Sequence, residues 1–322
     1  MNMKKPEDNI TVIVTDLEKK FGDFMAVNRI SFQVKRGEIF GFLGPNGAGK
    51  STTIRMLCGI VEPTSGSGLV NGLDILTQQE QIKQSIGYMS QRFSLYEDLS
   101  VEENINFYAG IYRLSAAKKK ERKEWVIKMA GLKDLRGSLT GILSVGWKQR
   151  LALGCAIIHE PEILFLDEPT SGVDPISRGN FWQLIKEMAR RGVTVFVTTH
   201  YMDEAENCDR LALIFQGDII ALGTPEELKT RDMKKDVLQI NLPQPEDWIE
   251  SLSKVPGIRE TALFGTSLHA VVDNAAAASG KLKSLFASRG LKDYSLRQIV
   301  PSLEDVFVAL IEAHSRPEAV PK

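Results

Sequence analysis

The hydrophobic and polar positions divide the chain into two parts of different character. Over residues 10–222, short β-branched and apolar runs alternate with longer amphipathic stretches. This pattern is typical of an α/β domain built on a largely parallel sheet. Runs at 11–14 and 30–34 predict a small antiparallel piece, and the run at 38–43 predicts a buried strand. We therefore expect a mixed sheet at the centre of this part.

A helical segment interrupts the strand pattern. Between residues 99 and 133, apolar side chains recur three and four positions apart at Val101, Ile105, Tyr108 and Ile111, which is the spacing of one helix face. We expect a helical subdomain over about residues 92–150, inserted into the sheet domain.

The pattern changes after residue 222. Residues 223–228 read as a turn and a short closing helix. Four strands are then predicted with two helices between them: strands 237–242, 260–264, 268–272 and 294–299, helices 248–254 and 275–288. The order strand, helix, strand, strand, helix, strand predicts a ferredoxin-like α+β unit. The predicted divisions are a flexible N-terminus at 1–9, a first domain at 10–230 and a C-terminal accessory domain at 235–315.

Composition narrows the class of protein. The chain has 322 residues, 43% hydrophobic and 25% charged, with a formal net charge of −1. A chain of this length accommodates two domains, and no basic footprint for nucleic acid is visible. Three cysteines without C-x-x-C spacing predict a reducing, cytosolic setting. The polar first residues predict no signal peptide, and apolar runs such as 193–197 fall short of the ~18 residues that cross a bilayer.

The strongest local signal is a complete P-loop pattern between a predicted strand and a predicted helix. It comprises Gly44, Pro45, Asn46, Gly47, Ala48, Gly49, Lys50 and Ser51, and the predicted nucleotide-binding set runs on to Thr52. The glycines let backbone N–H groups turn toward phosphate oxygens at a helix N-terminus, where the helix dipole favours an anion. Lys50 is expected to meet the β- and γ-phosphates of ATP, and Ser51 to bind Mg²⁺.

A second signal is an apolar strand that ends in two acids, Asp167 and Glu168. Paired carboxylates after four buried positions are costly unless a cation or a ligand lies beside them. In P-loop NTPases the first such acid orients the Mg²⁺ shell and a following Glu polarises the attacking water. We assign Asp167 to the metal and Glu168 to the water.

Two further segments of the sequence resemble motifs of the ABC ATPases. Residues 143–150, Leu-Ser-Val-Gly-Trp-Lys-Gln-Arg, look like the family's signature motif, and residues 167–174 look like its Walker B segment and D-loop. The resemblance implies the remaining roles: adenine stacking for Phe21, nucleotide sensing and a place in the metal shell for Gln91, the D-loop acid for Asp174, and a catalytic switch for His200, with Lys50 steadying the γ-phosphate. It implies a P-loop NTPase fold with ATP and Mg²⁺ as cofactors.

The signature departs from the family pattern Leu-Ser-Gly-Gly-Gln. Val145 replaces the first glycine and Trp147 replaces the glutamine, whereas Ser144 and Gly146 remain. In the family this segment meets the γ-phosphate held by the opposite subunit. A β-branched residue restricts the backbone and crowds that approach. The intact Glu168 and His200 indicate that hydrolysis survives, and an ATP-binding regulator that no longer hydrolyses is the alternative.

The resemblance also implies partners. Two ATPase domains are expected to close on two ATP molecules, as a homodimer or a heterodimer, beside separate transmembrane permease subunits whose coupling helix docks near residues 91–99. The segment 201–206 and the C-terminal run 301–307 are most similar to drug exporters of the ABC-2 type. That places the chain in the cytoplasm, peripheral on the cytoplasmic face of the cell membrane and in contact with the membrane only through its partners.

Other classes fit the sequence less well. A ribosome-acting ABC factor joins two ATPase domains and carries a basic surface, and a DNA-repair ATPase of the related type inserts a long coiled coil; neither feature is present in the sequence. A GTPase needs a guanine-reading Asn-Lys-x-Asp segment, which the chain lacks. The transported substance is not encoded here, and the C-terminal domain is read either as an aid to dimerisation or regulation or as a structural addition.

Overall fold

The fold is taken from a computed structural model, and the structure describes residues 9–232 and 235–315. Residues 1–8 of the predicted flexible N-terminus therefore lie outside the described residues. The chain separates into one unit at Met1–Ile219 and a second at Ile220–Lys322. Within the described part, no helix has the length and apolar content required to cross a bilayer.

The first sheet of the N-terminal unit is antiparallel. Its strands are β1 (Ile10–Phe21), β2 (Phe24–Lys35), β4 (Ser65–Val70) and β5 (Leu73–Asp74), in the order β2-β1-β4-β5. Along β2, Ile30, Phe32 and Val34 are buried and alternate with exposed residues, because successive side chains of a strand point to opposite faces. The predicted antiparallel piece is thus present, with longer strands than the sequence pattern suggested.

The central sheet has six strands. They are β3 (Ile39–Leu43), β6 (Ile86–Met89), β7 (Ile163–Asp167), β8 (Thr194–Thr199), β9 (Arg210–Phe215) and β10 (Asp218–Gly223), in the order β10-β9-β3-β8-β7-β6. Strand β3 runs parallel to both β8 and β9, and β7 runs parallel to β6 and β8. Every residue of β3, β7 and β8 is buried, as expected for strands covered on both faces. The carboxyl ends of these parallel strands meet at one edge of the sheet.

Helices cover this sheet and form the predicted helical insertion. The sheet helices are α1 (Lys50–Leu57), α2 (Gln79–Ser85), α6 (Pro175–Arg190) and α7 (Met202–Ala205). The insertion contains α3 (Val101–Ile111), α4 (Ala116–Met129) and α5 (Val145–Ala156), with 3₁₀ turns at Lys133–Leu135 and Thr140–Ile142. Ser100 and Glu103 form a capping box at the start of α3, and the three helices share an apolar core that includes Ile105, Val126 and Leu151.

The first helix of the second unit is α8 (Pro225–Glu227), which is capped by Thr224 and continues as a π-helical turn at Leu228–Asp232. Its strands are β11 (Asp236–Asn241), β12 (Ile258–Phe264), β13 (Ser267–Val272) and β14 (Ser295–Ile299). Its helices are α9 (Ile249–Ser253) after a 3₁₀ turn at Pro245–Trp248, α10 (Ala275–Ser288) and α11 (Leu303–Ser315). The sheet order is β12-β13-β11-β14 with all neighbours antiparallel, and α9 and α10 contribute Leu252, Leu282 and Phe286 to the core on the sheet.

The three cysteines are free and buried in the first unit. Burial in apolar surroundings raises the pKa of the Cys58, Cys155 and Cys208 thiols. Thiolate formation is therefore disfavoured at all three, and these cysteines serve as small apolar core residues.

Candidate functional site

The glycine-rich loop joins the end of β3 to the start of α1. Gly47 and Gly49 have φ values of 81° and 107°, a region that side-chain-bearing residues rarely adopt. A Cβ atom on Gly49 would lie 2.4 Å from the carbonyl oxygen of Ala26, so only glycine fits there. Helix α1 begins at Lys50, directly after this glycine, and its free N–H groups face the loop.

A turn between two other strands supports the loop from outside. Gly217, in the two-residue connection between β9 and β10, donates its N–H to the carbonyl oxygen of Ala48 at 3.1 Å and accepts from the N–H of Asn28 at 2.9 Å. Gly217 is buried, with φ 89°. The glycine-rich loop is therefore held both by β2 and by this turn.

Lys50 is the cation of the site. Its Nζ donates to the carbonyl oxygens of Gly44 at 2.8 Å and Pro45 at 3.0 Å. The same Nζ lies 3.2 Å from Oε1 of Glu168, and the two side chains are only 3% and 6% exposed. Because a buried charge is costly unless it is paired, this ion pair fixes both side chains at the mouth of the loop.

Three of the predicted residues, Lys50, Gln91 and His200, meet at the carboxylate of Glu168. Its Oε2 accepts from Nε2 of Gln91 at 3.0 Å and lies 3.4 Å from Nδ1 of His200. Its backbone has φ +46°, which costs a non-glycine residue roughly 1–2 kcal/mol. The N–H of Glu168 donates to Oγ1 of Thr198 at 2.9 Å, and this bond helps to hold the strained conformation.

Asp167 presents one satisfied and one free oxygen. Oδ1 accepts from the hydroxyls of Ser51 at 2.7 Å and Thr198 at 2.8 Å. Oδ2 is buried and has no hydrogen-bond partner, although buried carboxylate oxygens are ordinarily satisfied. Carboxylate and hydroxyl oxygens are the donors that Mg²⁺ prefers. Among the described residues, no group of three or more His, Cys, Asp or Glu side chains is arranged to hold a metal ion.

A cavity of about 390 Å³ opens beside these groups. The structure places the predicted Phe21, Asn46, Gly47, Gly49, Lys50, Ser51, Thr52, Gln91 and Glu168 on its lining, together with Phe24 and Ala26. The rings of Phe21 and Phe24 are 51% and 60% exposed. Exposed aromatic rings at the mouth of a polar cavity suit a planar base.

Two side chains at this site escaped the sequence analysis. Phe24 begins β2 directly across the turn from Phe21. Its only signal in the sequence was its aromatic side chain, four positions before Asn28. Thr198 lies opposite Asp167 in the parallel register of β7 and β8. Its signal was its position two residues before His200, at the carboxyl end of the predicted strand.

The residues predicted to form the signature motif lie at the start of α5 and do not line this cavity. Ser144 precedes the helix, and Val145 is its first residue, with 46% of its surface exposed. A Cβ atom on Gly146 would lie 2.9 Å from Oγ of Ser177, so this glycine permits close packing of α5 on α6. The ring of Trp147 packs against the core of the helical insertion.

The predicted D-loop acid caps a helix. Asp174 accepts from the N–H groups of Ile176 at 3.1 Å and Ser177 at 2.9 Å at the start of α6. Hydrogen bonds from Ser177 lower the pKa of this carboxyl. Because Ser177 also faces Gly146, the first turn of α6 lies beside both the D-loop and the signature segment.

Comparisons with known proteins agree with this geometry. Residues 27–171 match the family model described as ABC transporter. The chain is 54% identical over 216 residues to the probable multidrug ABC transporter ATP-binding protein YbhF of Escherichia coli, an alignment that covers 67% of this chain and 37% of that protein. It therefore spans little more than a third of that relative.

Another relative aligns over almost its full length. The chain is 35% identical over 296 residues to the Nod factor export ATP-binding protein I of Burkholderia lata, covering 92% of this chain and 95% of that protein. Among solved structures, a dimer of the ATP-binding cassette MJ0796 in a post-hydrolysis state, bound to ADP and Pi, superposes with a TM-score of 0.61 and 26% identity. That alignment covers 66% of this chain and 98% of the other.

Proposed function

Because the chain belongs to the ATP-binding proteins of the ABC transporter family, we propose that it binds and hydrolyses ATP and drives export through separate transmembrane subunits. The observation that carries the proposal is the meeting of Lys50, Gln91 and His200 on the carboxylate of Glu168 beside a cavity. A binding module without chemistry has no need of a buried carboxylate held at the edge of a phosphate loop.

ATP binding rests on the glycine-rich loop and on Lys50. The backbone N–H groups that begin α1 and the Nζ of Lys50 meet the phosphates, since both present positive potential to an anion. Phe21 and Phe24 hold the adenine at the mouth of the cavity. The nucleotide then takes over part of the pairing that Glu168 now gives to Lys50, which frees the carboxylate to face a water molecule.

Ser51, Asp167 and Gln91 are the side chains that would hold Mg²⁺, which supplies charge neutralisation at the β- and γ-phosphates when bound. The unpartnered Oδ2 of Asp167 supports this assignment. Thr198 fixes the carboxylate from behind through Oδ1 and leaves Oδ2 free toward the nucleotide.

Hydrolysis is assigned to Glu168 and His200. Glu168 accepts the proton of the attacking water, and His200 steadies the γ-phosphate together with Lys50. The side chain of Glu168 is only 6% exposed, and these electrostatic contacts are stronger because little solvent screens them.

Dimerisation completes the site. Ser144, Val145, Gly146, Trp147 and Asp174 lie outside the cavity of their own chain, and we assign them to the ATP held by a second ATPase domain, in a homodimer or a heterodimer. The solved MJ0796 cassette is a dimer with ADP and Pi. Val145 is exposed at the first turn of α5, where its side chain narrows the approach to the opposite phosphate.

The partners are proposed to be permease chains, with this chain peripheral on the cytoplasmic face of the cell membrane. The surface near residues 91–99 is assigned to a coupling helix of the partner; there Tyr96 is 45% exposed and its ring centroid lies 4.6 Å from that of Phe107. The names of the relatives, a probable multidrug ABC transporter ATP-binding protein and a Nod factor export ATP-binding protein, favour export, and the ABC-2 type is proposed from the similarity at residues 201–206 and 301–307. No nucleic acid is proposed as a partner.

We assign residues 10–230 to the ATPase domain, with the helical insertion at about 92–150, and residues 235–315 to a ferredoxin-like accessory domain. The strand order β12-β13-β11-β14 with antiparallel neighbours supports the latter assignment, because a βαββαβ chain with two right-handed crossovers gives this order.

The test is phosphate release by the purified chain, with light scattering in the same buffers. We expect Mg²⁺-ATP to be hydrolysed and the scattering mass to rise toward that of a dimer, and EDTA to abolish turnover because Ser51 and Asp167 then lack their cation. Mg²⁺-ATP binding with a dimer but no turnover would favour the non-hydrolysing regulator. Absence of nucleotide binding would refute the proposal altogether.

The two aromatic rings make separable contributions to nucleotide affinity. We expect Phe21→Ala and Phe24→Ala each to weaken ATP binding, by about 5- to 150-fold where the ring stacks on the base, since base stacking on an aromatic ring contributes about 1–3 kcal/mol. Titration with a fluorescent ATP analogue measures the change. Leu76→Ala, at an apolar side chain 41% exposed elsewhere, is the control and should bind normally. Unchanged affinity in both phenylalanine variants would remove adenine stacking from the proposal.

A further inference from the structure

A second buried carboxylate lies behind the switch histidine. Glu204, in α7, is 1% exposed, and each of its oxygens is held by a threonine hydroxyl. Oε1 accepts from Oγ1 of Thr170 at 2.5 Å, and Oε2 accepts from Oγ1 of Thr199 at 2.8 Å. Both threonines are 1% exposed, so all three polar groups depend on one another for satisfaction.

The two threonines belong to the segments that carry the proposed chemistry. Thr170 follows Glu168 by two positions, in the loop that leaves β7, and Thr199 directly precedes His200 at the end of β8. The hydroxyl of Thr199, which donates to Glu204, also accepts a hydrogen bond at 3.0 Å from the N–H of Tyr201, the residue after His200. One carboxylate therefore ties together the loops that position Glu168 and His200.

A third segment joins through Arg178 of α6. Its Nε lies 3.4 Å from Oε1 of Glu204 and its Nη1 lies 3.5 Å from Oδ2 of Asp203. The guanidinium also lies 4.2 Å from the ring centroid of Tyr201. The N–H of Arg178 donates to the carbonyl oxygen of Asp174, so the D-loop residue is one helical turn away from this group.

Burial of the Glu204 carboxylate costs free energy, and filling the same space with an apolar side chain would avoid that cost. Burial raises the pKa of the Glu204 carboxyl, and the two threonine hydroxyls and Arg178 act in the opposite direction. An apolar side chain of similar volume often fills such a position at no loss of stability. The cost is explained if the exact separation of the two loops matters, because misplacement of a catalytic group by about 1 Å can cost about 100-fold in rate.

We propose that Glu204 is a positioning residue that holds the Glu168 and His200 loops at their catalytic separation and links both to the D-loop helix. The proposal rests on the hydrolytic function proposed above. Glu204 is neither among the residues that line the cavity nor a partner in the ion pair of Lys50, so it acts through the segments that it holds in place.

The test compares Glu204→Ala with Glu204→Gln in the full-length chain. Alanine removes both hydrogen bonds, and we expect kcat to fall about 10- to 100-fold with KM for ATP changed less than about threefold, because misplacement affects the reacting groups and not the phosphate loop. Glutamine accepts from one threonine and donates to the other, so it should restore most of the rate. Asp203→Ala, at a carboxylate 75% exposed that shares only Arg178, is the matched control.

A double-mutant cycle separates positioning from simple loss of stability. In a background that carries both Glu168→Gln and His200→Ala, Glu204→Ala should lower kcat less than about threefold further, because both groups that it positions are gone. An equal loss in both backgrounds, or a fall in Tm with kcat unchanged, would overturn the proposal. If Glu204→Ala does not fold, two threonine variants test the proposal with little change of volume. Thr170→Val removes one bond to Glu204, whereas Thr199→Val removes one bond to Glu204 and the bond from the N–H of Tyr201; each should lower kcat separately. A wild-type chain without turnover counts against the proposed function and not against this inference alone.

Discussion

Glu168→Gln is expected to lower ATP turnover about 10²- to 10⁴-fold, the range that a positioned general base contributes. The amide cannot accept the proton of the attacking water, yet it keeps the shape of the carboxylate and can still contact Lys50 and Gln91, which lie 3.2 and 3.0 Å from the native oxygens. The phosphate loop is untouched, so ATP still binds. Single-turnover phosphate release measures the loss.

The same variant is expected to accumulate as an ATP-bound dimer, because closure persists while the γ-phosphate remains. Light scattering in Mg²⁺-ATP should therefore report a larger mass for Glu168→Gln than for the wild type during turnover. Glu162→Gln is the control: its carboxylate is 59% exposed and pairs with Arg36 just before β7. Turnover of Glu168→Gln within about threefold of the wild type would assign the base to another residue.

Lys50→Ala is expected to reduce kcat/KM by at least about 10²- to 10³-fold, as for loss of a preorganised charge at the transition state. It also removes a charge-assisted contact to phosphate worth about 1.5–3 kcal/mol, or roughly 10- to 150-fold in ATP affinity. Lys50→Ala should therefore differ from Glu168→Gln, since it should lose both ATP affinity and the rate of hydrolysis. Calorimetric titration with ATP and Mg²⁺ distinguishes the two.

The control for this variant is Lys83→Ala, at a lysine of α2 that is 42% exposed and pairs only with Glu80. Removal of Lys50 also leaves the buried Glu168 without its cation. We therefore expect a lower Tm as well, since breaking a buried pair destabilises the fold. Normal ATP affinity in Lys50→Ala would contradict the proposed phosphate contact.

The sequence was informative wherever a motif constrains its own backbone. The glycine-rich loop, the two acids after β7 and His200 after β8 were all predicted, because short-range rules on glycine, buried strands and strand ends apply to them. The helical insertion and the order of elements from β11 to β14 were also predicted, since their apolar periodicity is local, whereas helix α11 after β14 was not predicted.

What the sequence could not supply depends on register and packing. Thr198 reaches Asp167 only because β7 and β8 pair in one particular parallel register, and Glu204 meets Thr170 across 34 positions. No local pattern identifies a threonine or a glutamate in such a place. Likewise, the spacing of Trp147 in the signature does not reveal that its ring packs into the helical core.

The turn at Gln216 and Gly217 bears on how the chain can be labelled or extended. Two-residue hairpin turns are usual sites for inserting tags or fluorophores, but here Gly217 is bonded on one side to the phosphate loop and on the other to β2. An insertion would break the hydrogen bonds by which Gly217 supports the phosphate loop while leaving the fold intact. The turn at Gly72, where a Cβ atom would meet nothing within 4 Å, is the better attachment point for probes of dimer closure.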